Sequence, residues 1–233
     1  MNETAQNVVE IKDLVKTYHQ GTIEVPALRG LTLSVRRGEF LAICGPSGSG
    51  KTTTLNLVGA LDAPTSGTIL LEGRDLGKLG RSALSRLRRD RIGFVFQAYN
   101  LVPVLTAYEN AEIVMALQGV KASKRRERVM ALLAEVGLKG MEHRRPDQLS
   151  GGQQQRVAIA RAIAAGPAVV LADEPTANVD SETAERLLDL MEGLNRDSGV
   201  TFIFSTHDTK VMARARRIIS MVDGRVAGDE TRS

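Results

Sequence analysis

The sequence predicts an α/β fold: a mainly parallel β-sheet core, preceded by an antiparallel β subdomain and interrupted by an inserted α-helical subdomain. Three observations carry this. A short apolar run, Phe40–Cys44, leads into a glycine-rich turn and then a helical pattern. Further apolar runs at Ile92–Phe96, Ala168–Ala172 and Thr201–Ser205 alternate with helical stretches, the pattern of buried parallel strands. From residue 98 to about 155 the pattern turns helical without an intervening strand, so these residues read as the insertion. The whole chain, 1–233, reads as one domain.

Composition narrows the class. The apolar share of 42% and the charged share of 25% are those of a water-soluble globular protein. No apolar run approaches the ~20 residues of a membrane span. Residues 1–6 have neither a basic region nor an apolar core, so no signal peptide is expected. Cys44 is the only cysteine, which rules out an intrachain disulfide and fits a reducing, cytoplasmic setting. A net charge of +4 is only weak evidence for a nucleic-acid partner, and aromatic stacking residues are scarce at 3%, so none is expected.

In chain order, Val8–Lys16 and Leu31–Val35 alternate as strands, with Gly21–Pro26 a loop between them. Arg37, Gly38 and Glu39 turn the chain into the apolar run at Phe40. Thr53–Ala60 reads as a helix, Pro64–Gly67 as a turn and Thr68–Leu71 as a strand closing at Glu72 and Gly73. Arg81–Arg91 carries five arginines, which read either as a solvated helix face or as a surface for anionic lipid or an acidic partner. In the helical stretch, Val129, Leu132, Leu133 and Val136 share one face, and Gly137 ends it. A helix over Gln153–Ala165 stops at Gly166 and Pro167. Asp180 and Ser181 cap a helix whose buried stripe is Ala184, Leu187, Leu188, Met191 and Leu194. Arg217–Val222 and a turn at Asp223 and Gly224 finish the sheet, and Gly228–Ser233 reads as a frayed tail.

The chemistry centres on Gly45, Pro46, Ser47, Gly48, Ser49, Gly50, Lys51 and Thr52, which fit the P-loop pattern G-x-x-x-x-G-K-[ST]. A triphosphate is well hydrated, so a protein must offer many converging donors to compete for it. The glycines let successive backbone N–H groups point inward, and the helix beginning near Lys51 and Thr53 adds its positive end. Lys51 is expected to reach the β- and γ-phosphates, and the Thr52 hydroxyl to ligate Mg²⁺. Asp173 and Glu174 follow a buried strand, at the sheet edge where the P-loop also lies. Asp173 suits a metal, and Glu174 suits a base for the attacking water. Ser150, Gly151 and Gly152 begin a helix, which is a second anion site.

Leu149, Ser150, Gly151, Gly152 and Gln153, placed a short helix and strand before Asp173, resemble the signature motif of ATP-binding cassette (ABC) ATPases. Gln97, the D-loop-like run Ala177–Asp180, and His207 resemble the same family, over about Val8–Gly228. The resemblance implies a P-loop NTPase (RecA-like) core that binds ATP with Mg²⁺ and hydrolyses it. It implies that Tyr18 stacks on adenine, although an aromatic at a strand end is often just packing. It implies that Gln97 bridges Mg²⁺ and the lytic water, and that His207 hydrogen-bonds the γ-phosphate. Ser150, Gly151, Gly152, Gln153 and Asp180 are implied to serve ATP held by a second copy in a head-to-tail dimer. Ala177 and Val179 depart from the residues common at these positions, which leaves D-loop geometry open, while Thr52 keeps the metal-binding hydroxyl.

Short words such as Gly93–Gln97, Asn100–Pro103 and Thr106–Asn110 resemble the lipoprotein-releasing and macrolide-export group. In that group the cassette drives a membrane permease, which implies a subunit peripheral to the inner face of the cell membrane. The apolar run at 98–110 either packs into the helical insertion or meets the permease, with Leu101 the expected anchor. The competing class is a non-transport ABC ATPase acting on nucleic acid or ribosomes. DNA-repair members carry a much longer insertion, and ribosome-acting members usually carry two cassettes.

Overall fold

The computed structural model describes residues 7–232. The expectation about a signal peptide at residues 1–6 lies outside them, as does Ser233 at the end of the expected tail. β1 (Asn7–Gln20) and β2 (Ile23–Arg36) form a long antiparallel hairpin. The expected loop over Gly21–Pro26 is replaced by a two-residue turn, because Gly21 adopts φ 62° and lets Gln20 pair with Ile23. β3 (Phe40–Cys44) leads to α1 (Lys51–Val58). β4 (Ser66–Leu71) pairs with β1, and with the short β5 (Arg74–Asp75) across Glu72 and Gly73. Both turn residues have positive φ, 48° and 74°, the conformation whose twist matches flanking strands.

α2 (Arg81–Arg91) precedes β6 (Ile92–Val95). Residues 98–106 are not helical: Pro103 and the left-handed Tyr99 and Asn100 break the pattern before α3 (Ala107–Leu117). α3 opens with a capping box between Thr106 and Glu109. α4 (Ala122–Glu135) and α5 (Gly151–Ala164) follow. β7 (Val169–Asp173), α6 (Ser181–Ser198), β8 (Phe202–Thr206), α7 (Thr209–Arg214), β9 (Arg217–Val222) and β10 (Arg225–Thr231) complete the chain. β10 overturns the expected frayed tail. Asp223 and Gly224, with φ 48° and 75°, make a tight turn that lays residues 225–231 antiparallel on β9.

Two sheets result, in the orders β2-β1-β4-β5 and β10-β9-β3-β8-β7-β6. The second is parallel from β9 to β6. Its alternate side chains feed two cores. Phe40, Ala42, Val170, Ala172, Phe202 and Phe204 face the helices α3–α6. Leu41, Ile43, Val169, Leu171 and Ile203 face α1 and the antiparallel sheet. Being buried on both faces is why these strands read as continuous apolar runs.

The arginines of α2 split by position. Arg91 donates twice to the Glu72 carboxylate and Arg88 donates to the Ala60 carbonyl. These two therefore tie the helix to the β4–β5 turn and to the end of α1, which neither sequence reading anticipated. With Arg37 also donating to it, the Glu72 carboxyl is held at about 2, chiefly by its hydrogen bonds from Arg91. A depressed carboxyl stabilises the fold above its ordinary value of 4.5, and that contribution disappears as pH falls through about 2. Glu72→Gln is therefore expected to cost on the order of 2 kcal/mol at neutral pH, allowing for partial exposure. Thermal melts from pH 7 down to pH 2 should show the wild-type advantage shrinking below about pH 4.5.

Candidate active site

β3 ends at Cys44, level with Thr206 on β8 and Ser220 on β9. The chain therefore leaves the sheet centrally, with strand ends on both sides. Gly45 has φ 152°, and a Cβ there would lie 2.2 Å from the Met221 carbonyl oxygen. Gly50, φ 101°, caps α1 without any side-chain acceptor, so the first N–H groups of the helix stay open to a ligand. Lys51 is only 9% exposed. Its ammonium bends back over the loop and donates to the carbonyls of Gly45 and Pro46, at 2.8 and 3.0 Å.

This loop floors a cleft of about 790 Å³. Tyr18, Gly45, Pro46, Ser47, Gly48, Gly50, Lys51, Thr52, Thr53, Gln97, Glu174 and His207 all line it. Ser49 does not. It is buried under the loop, its N–H on the Pro46 carbonyl and its own carbonyl accepting from Gly224.

The carboxylates stand at the same edge. Thr52 Oγ1 donates to Asp173, 3.1 and 3.3 Å from its two oxygens. Glu174 holds a left-handed φ of 44°, an uncommon conformation for a non-glycine residue. Its Oε2 accepts from the Thr206 hydroxyl at 3.1 Å, and its Oε1 lies 2.6 Å from His207 Nδ1. The parallel register of β7 and β8, which pairs Asp173 with Ser205, brings 173–174 and 206–207 together.

Gln97 is tied into a polar latch that the sequence did not disclose. Its carbonyl accepts from Asn178 Nδ2 at 2.9 Å, and the Tyr99 hydroxyl donates to the Asn178 carbonyl at 3.0 Å. Arg161 on α5 donates to the carbonyls of Tyr99 and Asn100. Burial lowers the pKa of that guanidinium. The only signal for these partners was their residue type, since 161 and 178 lie far from 97–100 in the chain.

Ser150, Gly151, Gly152, Gln153 and Asp180 lie outside the cleft. Ser150 and Gln153 form a capping box at the start of α5. Gly152 sits so close to α6 that a Cβ would meet Thr183 Cγ2 at 2.3 Å. Asp180 accepts from the Thr183 N–H and caps α6.

The family model described as ABC transporter matches residues 28–177. The chain belongs to the ABC transporter family. An uncharacterised ABC transporter ATP-binding protein of Thermotoga maritima is 47% identical over 97% of each chain. The lipoprotein-releasing system ATP-binding protein LolD of Anaeromyxobacter dehalogenans is 48% identical, over 97% of this chain and 95% of its own. The macrolide export ATP-binding/permease protein MacB of Hyphomonas neptunium is 48% identical over 95% of this chain, which spans only 34% of that longer protein. Among solved structures, a dimeric post-hydrolysis state of the ATP-binding cassette MJ0796 bound to ADP and Pi superposes with TM-score 0.88. It is 43% identical, over 96% of this chain and 98% of that one. This ABC ATPase therefore binds and hydrolyses ATP. No helix among the described residues is long and apolar enough to cross a membrane.

Proposed function

We propose that this chain is the ATP-hydrolysing subunit of an ABC transporter of lipoprotein-release or macrolide-export type, and that it drives a separate membrane permease. The observation that carries the catalytic reading is the Glu174 carboxylate, held by Thr206 and His207 beside the Thr52–Asp173 pair. In this reading the loop 45–50 with Lys51, Thr52 and Thr53 holds the phosphates, and Tyr18 takes the base. Thr52, Asp173 and Gln97 offer only oxygen donors, which suit Mg²⁺. Bound there, the ion would neutralise charge on the phosphate oxygens. Glu174 takes a proton from water as the water oxygen attacks the γ-phosphorus. The bond to the bridging oxygen breaks, and its electron pair leaves with ADP. His207 hydrogen-bonds the γ-phosphate, and its contact with Glu174 orients the carboxylate.

Ser150, exposed at the start of α5, supports a dimeric reading. Ser150, Gly151, Gly152 and Gln153, with Asp180, belong to a site completed by a second copy's P-loop, head to tail. The dimeric relative supports association. The helices of residues 98–155 would then act as the insertion that moves between nucleotide states.

The permease contact needs one revision. Leu101 packs against the helical core, so it is an unsuitable anchor, whereas Val104 is 71% exposed. Beside Asn100 lies a mainly apolar groove of about 300 Å³, whose walls include Leu61, Phe94, Phe96 and Val114 and which Arg88, Arg89 and Arg161 also line. A short cytoplasmic helix of the permease would seat here, next to the 98–110 segment. This reading makes the subunit peripheral to the inner face of the membrane. The transport-type relatives add no support to the nucleic-acid alternative.

Three experiments test these assignments. Glu174→Gln should reduce hydrolysis by about 10²–10⁴-fold while ATP binding persists; a native turnover rate would remove Glu174 as the base. Mixing Ser150→Arg chains with Lys51→Ala chains should give heterodimers with one whole site and one doubly damaged site. Single-turnover hydrolysis by the mixture should exceed that of either variant, and no gain in proven heterodimers would refute the shared site. Leu61→Glu, at a position 49% exposed, should leave the free subunit's ATPase intact but reduce permease recovery in a detergent pull-down, because it replaces an apolar contact surface of the groove with a charge. Undiminished recovery would take the groove out of the interface.

A further inference from the structure

Tyr18 is held from two sides by groups that do not line the cleft. Its hydroxyl donates to Asp62 Oδ2 at 2.9 Å. Asp62 Oδ1 accepts from Lys16 Nζ at 2.8 Å and from the Ala63 N–H at 2.7 Å. The same ammonium donates to the Ala63 carbonyl and lies over the Tyr18 ring, 4.7 Å from its centroid. The loop that carries Asp62 is pinned in turn. Leu61 N–H bonds the Asn56 carbonyl, Thr65 N–H bonds the Val15 carbonyl, and Thr17 N–H donates to the Thr65 hydroxyl. Burial opposes ionisation of Asp62, yet hydrogen bonds from Lys16, Ala63 and Tyr18 keep its carboxyl below the usual range.

An aromatic ring on a strand end has two rotatable bonds, and a stacking ligand must freeze both. Here the hydroxyl is anchored at the far end of the ring and one ring face is covered by a cation, while the side chain still lines the cleft. We propose that Asp62 and Lys16 are positioning residues that preorganise Tyr18, so that one face of its ring stays presented to the nucleotide base. The proposal rests on the reading of Tyr18 as the base-stacking residue. Preorganisation lowers the ordering cost of binding, and that cost falls only on ligands that carry a base. A clamp with a purely structural role would affect nucleotides and bare phosphates alike.

The test compares two probes on the full chain by calorimetric titration with Mg²⁺ present: ATP, and inorganic tripolyphosphate, which has no base. Asp62→Ala should weaken ATP binding about three- to tenfold and leave tripolyphosphate within about twofold. Tyr18→Phe keeps the ring and loses only the anchored hydroxyl, so it should show the same selective loss; it also serves if Asp62→Ala folds poorly. In a Tyr18→Ala background, Asp62→Ala should add nothing further. Equal weakening of both probes by Asp62→Ala and Tyr18→Phe would reduce the clamp to a structural tie and overturn the proposal. So would unchanged ATP affinity in these variants when Tyr18→Ala itself weakens ATP. If Tyr18→Ala leaves ATP affinity unchanged, the stacking role of Tyr18 falls, and the clamp's function falls with it.

Discussion

The parallel pairing of β3 between β8 and β9 is the constraint on which the rest of the site depends. A parallel strand surrounded by parallel neighbours ends where they end, so their loops crowd one edge. Cys44, Thr206 and Asp173 reach that edge through the shared register. The P-loop, the two carboxylates and His207 then need no special guidance to meet. Burial holds the register, because a one-residue slip would turn Leu41 and Ile43 into the core that Phe40 and Ala42 occupy.

The loop itself is shaped by close packing as much as by glycine freedom. Gly45 lies against the Met221 carbonyl, and Gly50 lies against the Ala27 carbonyl. Strands from both sheets thus press on the turn, and the turn inherits their rigidity. A preformed cradle of N–H groups spends little on ordering when an anion arrives. Tyr18 on β1 shows the same economy at the other lining of the cleft, held through a loop that follows α1.

A second set of polar contacts joins the site to the helical insertion. Asn178 and Tyr99 connect the segment after Gln97 to the segment before Asp180, and Arg161 fastens both Tyr99 and Asn100 to α5. A half-buried guanidinium with only carbonyl partners is costly to leave unpaired. Displacing residues 97–100 would therefore disturb the C-terminal end of α5, the helix that Ser150 caps at its start. These hydrogen bonds run from the cleft-lining Gln97 through residues 99–100 to α5.

Local order in the chain determined the α/β class, the P-loop, the strand-end carboxylates and most helices, because those depend on periodicity and on residues adjacent in sequence. Local pattern failed where a turn converted an expected loop or tail into pairing. Gly21 and the Asp223–Gly224 turn placed Ile23–Pro26 and residues 225–231 in sheets that no alternation announced. It failed again at Leu101, whose apolar character could not say whether it faced a partner or its own core. Only the tertiary structure decided which arginines of α2 are structural, that Ser49 lies beneath the loop, and that Asp62, Asn178 and Arg161 serve residues far away in the chain. These are hydrogen bonds across tens of residues, made by common polar side chains. Nothing in their spacing marks them, because the geometry that pairs them exists only after both sheets and the helices have packed.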